Sequence, residues 1–408
     1  MIGRGLAASP PLGWAIAQIG ADRTEAFHSQ LAHFAEQDVR IFVSEFICGG
    51  SLSNEPLPDS LRREGRAMLW AIVDDLLRLP DCDVATTLDV RLADDARHRS
   101  SARCDIVTVT DSRDERRQFD RLASAGDAVL VIAPETDGQL TERVRRAESL
   151  GSRTLNCSPE AIELCGDKLR LAEHLERHAL ATITTATVDW SCNEPGERHE
   201  QSCGGSWMIK PRDGAGSWLT FRIPANSRDE WHRAGRAYAQ AGVQHKALIQ
   251  PFVAGQPLSV GCLCHSNGEV EVFPIGHQRL SNEFVYLGGV IPADIPLDTE
   301  IALRKLVRNA CATIPGLSGI IGVDLLLPEA DPARPLIVEI NPRLTTSYVG
   351  YRRLSANNLV ERWLQVAALL PNSNPSPPSW SSIRVEFDAS GERIADCTHP
   401  DRPIASLD

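Results

Sequence analysis

Leu336-Ile337-Val338-Glu339-Ile340-Asn341-Pro342-Arg343 is the stretch on which the fold turns. Its alternation predicts a strand: Val338 and Ile340 face a core, while Glu339 and Asn341, two apart, project together from the other face. A carboxylate beside an amide oxygen makes a pair of hard ligands, suited to a Mg²⁺ ion that keeps waters and bridges phosphates, with Mn²⁺ as its replacement. Upstream, Gly319 to Leu327 (GIIGVDLLL) reads as an apolar strand carrying Asp324, a charge costly to bury without a metal or a partner. If the two strands are neighbours, Asp324, Glu339 and Asn341 form one acidic metal site, with Arg343 beside it as an anion clamp. The plainer alternative is an edge-strand salt bridge between Glu339 and Arg343.

The rest of the chain sets the frame for that site. It has 408 residues, enough for two or three domains with filled cores, and its 42% hydrophobic and 24% charged composition is that of an ordinary globular protein. A net charge of -12 with no basic run argues against nucleic-acid or anionic-membrane binding. An anionic ligand would need a local cationic site. The chain uses 38 Arg but only four Lys, namely Lys168, Lys210, Lys246 and Lys305, so each lysine invites a role. No apolar run approaches the 18 or so residues of a membrane span. Eleven cysteines without CxxC pairs suggest reduced thiols in a cytoplasm.

From Val39 short β-rich runs alternate with helices: strands at Arg40–Ser44, Asp83–Thr87, Asp105–Thr110 and Ala128–Ile132, and helices at Ser60–Leu79, Arg113–Ser124 and Gly138–Leu150. This is a parallel, Rossmann-like α/β layer. It lacks GxGxxG, so dinucleotide binding has no support. After a short strand at Arg153–Asn156, Ser158-Pro159 reads as an N-cap with proline at the first helical position. From Thr182 strands dominate (TITTATVDW, WMIKPR, SWLTFRI, KALIQPF, LSVGCLCH, EVEVFPIG), with helices at Asp229–Gly242 and Thr299–Ile314, an α+β domain of mainly antiparallel sheet. The expected division is an N-terminal extension 1–38, a Rossmann-like domain 39–157, an α+β domain 158–370, and a Pro/Ser-rich linker with a small hairpin at 371–408.

Three further motifs carry chemistry. Trp207 to Ser217 (WMIKPRDGAGS) delivers Lys210 on a strand and follows it with a glycine loop whose backbone N–H groups can close over phosphates, although a GxG after a strand is equally a hairpin turn. Gly166-Asp167-Lys168 opens a helix. Leu248 to Gly255 (LIQPFVAG) is an apolar strand ending in a proline–glycine hinge that can pair with a flat heterocycle. No GxxxxGK[ST] occurs, which excludes a P-loop.

In this order the four pieces resemble the ATP-grasp superfamily over roughly Ser158 to Leu370, and the layer from Val39 to Cys157 resembles the pre-ATP-grasp domain that precedes it. The resemblance implies that Asp324, Glu339 and Asn341 bind Mg²⁺ and that Arg343 meets phosphate or an acyl phosphate. It implies that Lys168 and Lys210 contact ATP, with Asp213, Gly214, Ala215, Gly216 and Ser217 as the mobile loop and Gln250, Pro251, Phe252 and Val253 as the adenine hinge. The acidic residue often found there for ribose is absent from QPFVAGQ. Within the superfamily, SEFICGG, LRREGRAML and INPRLTTSYVGYRRL are similar to the tyramine–L-glutamate ligases of methanofuran-type cofactor biosynthesis. An ATP-dependent ligase joining a small carboxylate to an amine is therefore expected. Its rivals are a phosphotransferase or carboxylase and a non-catalytic ATP-binding protein.

Substrate contacts are expected at Arg279, placed after a strand, and at Thr345, Thr346 and Ser347. Tyr286 and Tyr348 read as core or as stacking residues. His174 and His178 read as a solvated helix face, Cys262 and Cys264 as core thiols, and Lys246 and Lys305 as surface residues. A homodimer is the default assembly.

Overall fold

A computed structural model describes residues 38–192, 205–214, 217–371, 377–391 and 393–398. The proposed extension 1–38 lies, except for its last residue, outside them. Four parallel strands, β1 (Val39–Glu45), β2 (Cys82–Asp89), β3 (Cys104–Val109) and β4 (Ala128–Ile132), form a sheet in the order β3-β2-β1-β4. The near-continuous burial of β1, β2 and β4 is what helices on both faces of a parallel sheet require, while β3 at the end of the order is partly exposed. The expected strand at Arg153–Asn156 shrinks to one bridge, Val129 with Thr154. Ser158 caps its helix as read, its hydroxyl accepting from the Ala161 N–H at 3.2 Å.

A second, small antiparallel sheet holds β5 (Ala186–Thr187), β6 (Ser206–Pro211), β7 (Phe221–Pro224) and β8 (Ala247–Pro251), in the order β5-β8-β6-β7. Its strands are shorter than the sequence suggests. The TITTATVDW run is split, because the Ile337 N–H donates to the Ala181 carbonyl and the Thr182 hydroxyl to that of Ile337, which ties its start to the other sheet. SWLTFRI is broken by Leu219 at φ 52°, whose carbonyl accepts from the Tyr238 hydroxyl.

The large sheet has eight strands, β9 (Gly255–Cys264), β10 (Val270–Val272), β11 (Gly276–Leu280), β12 (Tyr286–Ile291), β13 (Gly319–Pro328), β14 (Leu336–Asn341), β15 (Ile383–Asp388) and β16 (Ile394–Thr398). Its main order is β14-β13-β9-β11-β12-β15-β16, with β10 on β9. The C-terminal hairpin thus extends this sheet instead of standing apart. Strand β12 (YLGGVI) escapes the sequence pattern because glycines interrupt it. At Gly288 (φ 125°) a Cβ would lie 2.1 Å from the Phe387 carbonyl, so glycine is what admits β15.

The helix Asp59–Leu77 joins the two larger units. One face packs on β1 and β2, while its buried Asp75 accepts from the Tyr348 hydroxyl at 2.7 Å and from Arg352 at 2.6 and 2.8 Å. One continuous core runs from Ile41 and Leu69 to Tyr351, Trp363 and Phe387. Among the described residues no helix is long and apolar enough to cross a membrane.

Candidate active site

Strands β13 and β14 are antiparallel neighbours, with Asp324 directly opposite Glu339 and Gly322 opposite Asn341. The Asn341 amide donates to Asp324 Oδ2 at 3.2 Å, and Gln278 of β11 donates to Oδ1 at 2.6 Å. Burial and the facing Glu339 push Asp324 well above the ordinary carboxylate range. Burial acts on Glu339 too, but Lys168 and Lys210 outweigh it and hold this carboxyl low. Two facing carboxylates ionise together only if a cation shares their charge, so this donor set fits a hard divalent ion. Among the described residues no group of three or more His, Cys, Asp or Glu is arranged to hold a metal ion by itself. Two carboxylates and an amide leave the remaining positions to phosphate oxygens and water, as Mg²⁺ prefers.

The lysines reach the same place from two elements. Asp167 caps the helix Lys168–Arg177, and Lys168 Nζ lies 3.4 Å from Glu339 Oε2 and donates to the Gly214 carbonyl at 2.9 Å. This one ammonium links the metal strand to the glycine loop. Lys210, on β6, is driven by burial down to about 8, against the pull of Glu339. Of the loop, Asp213 and Gly214 are described, Ala215 and Gly216 lie outside the described residues, and Ser217 lines the main cavity. Gln250 is buried on β8 with its amide donating to the Thr185 hydroxyl at 2.6 Å. Pro251 ends that strand, and Phe252 and Val253 lead from the small sheet to the large one. The Arg222 guanidinium lies 3.8 Å above the Phe252 ring.

Arg343 does not pair with Glu339. Its Nε lies 2.9 Å from Glu135 Oε1, beyond the end of β4, so the edge-strand bridge is replaced by a contact to the parallel layer. Asp324, Glu339, Asn341, Arg343, Thr345, Thr346, Ser347 and Tyr286 line one cavity of about 570 Å³. Arg279 differs from expectation: it lies within β11, not after a strand, and its guanidinium is engaged by Glu386 and by the Phe387 carbonyl at 3.1 Å. The C-terminal hairpin, whose contact the sequence does not reveal, occupies it. Tyr348 is core.

Two side chains read as solvated are not. His174 is buried, its Nε2 3.0 Å from the Thr313 hydroxyl, because a helix packs there. Lys246 bonds Asp137 at 2.6 Å and Asp213 at 2.8 Å, anchoring the root of the glycine loop to the parallel layer, while Lys305 is exposed as read. Sequence reasoning missed Glu64, Glu135 and Gln278 at the site. Glu64 sits inside the LRREGRAML segment quoted for its resemblance, which was the available signal.

Comparison with known proteins accords with this geometry. A pre-ATP-grasp domain model matches residues 82–162 and an ATP-grasp domain model residues 165–347. A tyramine–L-glutamate ligase of Methanocaldococcus fervens is 25% identical over 72% of this chain and 84% of its own. A D-alanine–D-alanine ligase of Phocaeicola vulgatus is 29% identical over 35% of this chain and 45% of its own. A structure from Archaeoglobus fulgidus assigned to the ATP-grasp superfamily superposes with a TM-score of 0.60 at 21% identity, covering 85% of this chain and 92% of that one. The biotin carboxylase domain of a Hydrogenobacter thermophilus 2-oxoglutarate carboxylase, solved with MgADP, gives 0.65 at 14% identity, covering 85% and 74%. With two consecutive domain models matched and the same fold in these structures, the chain belongs to the ATP-grasp superfamily, its pre-ATP-grasp domain preceding its ATP-grasp domain.

Proposed function

We propose that the protein joins a small carboxylate to an amine through an acyl phosphate, with L-glutamate and tyramine as the first pair to test. The observation that carries this reading is the direct register of Asp324 and Glu339, with Asn341 and Arg343 on the same cavity and Lys168 on Glu339. Asp324, Glu339 and Asn341 would hold Mg²⁺, which when bound with ATP neutralises charge on the β- and γ-phosphates. Lys168 and Lys210 neutralise the rest as compact point charges. Arg343, a planar fork, orients a carboxylate or phosphoryl group by two oxygens at once. The substrate carboxylate attacks the γ-phosphorus and ADP leaves; the amine then displaces phosphate. Gly214, bonded to Lys168, and Ser217, on the cavity, support a loop whose closure would exclude water from the acyl phosphate. The relatives' names supply the candidate substrates.

An ADP-release screen of amino acids crossed with amines tests the reading. The ligase requires an acid and is stimulated by an amine. ADP formed with an acid alone, and unaffected by every amine, assigns the protein to phosphotransfer instead.

A further inference from the structure

The main cavity continues behind Arg343 into a smaller one of about 60 Å³, between the ends of β1 and β4 and the helix Asp59–Leu77. Leu61, Glu64 and Arg343 line both cavities, so Glu64 stands at their junction. The carboxyl ends of parallel strands are where open α/β sheets receive ligands. Glu45, the last residue of β1, lines the small cavity and accepts from the Ile47 and Cys48 N–H groups at 3.2 and 2.5 Å. Gly65 admits it, since a Cβ there would meet the Glu45 carboxylate at 2.6 Å. Arg343 Nε and Glu135 Oε1, though adjacent, are buried without a hydrogen-bonded partner. Glu135 holds Arg343, and Glu64 is the carboxylate lining the main cavity outside the proposed metal set of Asp324 and Glu339.

The proposed reaction leaves one proton unassigned. An alkylammonium titrates near lysine's ~10.4, so at neutral pH about one amine in a thousand or fewer has the lone pair that attacks. Resting on the ligase reading, we propose that Glu64 is the general base of the second half-reaction. It receives the substrate ammonium at the junction of the two cavities and takes one proton, R–NH₃⁺ and carboxylate becoming R–NH₂ and carboxylic acid. The freed lone pair forms the C–N bond as the C–O bond to phosphate breaks. The second N–H proton leaves to the released phosphate or to solvent.

The titratable and charged groups near Glu64 are Arg343 after β14, Tyr286 from β12, and Glu45 from β1 across the small cavity. Burial raises Glu64 above the ordinary carboxylate range, against Arg343, the direction that makes it a better proton acceptor. Activity with an amine then falls as pH drops through this raised value.

Hydroxylamine separates the two half-reactions, because it is unprotonated at neutral pH and traps an acyl phosphate as a hydroxamate without a base. Wild type and Glu64→Gln are compared with ATP, L-glutamate and either tyramine or hydroxylamine, with the acid and amine replaced by others from the screen if these are not used. Glu64→Gln is expected to lower the amide-to-hydroxamate ratio ~100-fold and to lose the acid limb of the amide pH profile, with Glu64→Asp recovering part of both. Amide and hydroxamate falling together, or an unchanged ratio, overturns the assignment. Absence of hydroxamate from wild type with every acid overturns the ligase reading itself, leaving Glu64 no reaction to serve.

Discussion

The two antiparallel sheets supply the site on different terms. The large sheet presents Asp324, Glu339 and Asn341 from the paired strands β13 and β14 at one end of its order, backed by cores that run on into the parallel layer. The small sheet presents Lys210 and the Gln250–Val253 hinge from a separate core built around Trp207, Trp231 and Tyr238. It is tied down mainly by charge: Arg212 to Asp167 at 2.7 Å, Lys168 to the Gly214 carbonyl, and Lys246 to Asp137 and Asp213. Carboxylates that position a metal need a fixed frame, whereas a cover that admits a nucleotide must come away. Packing provides the first, and half-buried ion pairs and hydrogen bonds in place of a shared core provide the second.

Substitutions on either side should separate these roles. The largest loss is expected from Glu339→Gln, which removes the proposed metal ligand and the partner of Lys168 but keeps the shape: ADP release falls ~1,000-fold or more while circular dichroism and melting temperature stay near wild type. ADP release within tenfold of wild type would remove the carboxylate pair from the chemistry. Next is Lys210→Met, which takes away a charge from the small sheet only. A ~100-fold fall in kcat/KM for ATP is expected, and an effect on the acid's KM without one on ATP would place Lys210 elsewhere.

These two residues were also the most legible in the sequence. Glu339 and Lys210, like Asp324, declare themselves because a charge in an apolar strand has few benign explanations, and Asn341 follows from its place two residues after Glu339. Glu64 and Glu135 lie in an amphipathic helix and after a strand, where an acidic residue is unremarkable until the tertiary fold turns it toward Arg343. Arg279 misleads for the converse reason: its partner Glu386 is far along the chain. The order of the parallel layer follows from alternating strands and helices, but β12 is hidden by its glycines. The splitting of the Thr182 run between two sheets depends on long-range hydrogen bonds that no local pattern encodes.

Tyr348→Phe probes the rigid frame away from the chemistry. It leaves the buried Asp75 short of one hydrogen bond at the junction of helix and large sheet, so urea unfolding should show a loss of about 1.5–3 kcal/mol. A change below about 0.5 kcal/mol would mean that Arg352 and Arg78 satisfy Asp75 without the tyrosine. Smallest is Lys246→Ala, which frees the loop root: KM for ATP is expected to rise about three- to tenfold with little change in stability. A stability loss rivalling that of Tyr348→Phe would show that the small sheet is part of the frame after all.

The central claim is that the Asp324–Glu339 pair serves a reaction that passes through an acyl phosphate. Supplying the acid with ¹⁸O in its reacting carboxylate and weighing the phosphate released during amide formation tests this directly. The account predicts one labelled oxygen in each phosphate, transferred when the carboxylate attacked phosphorus. Unlabelled phosphate accompanying labelled amide would contradict it.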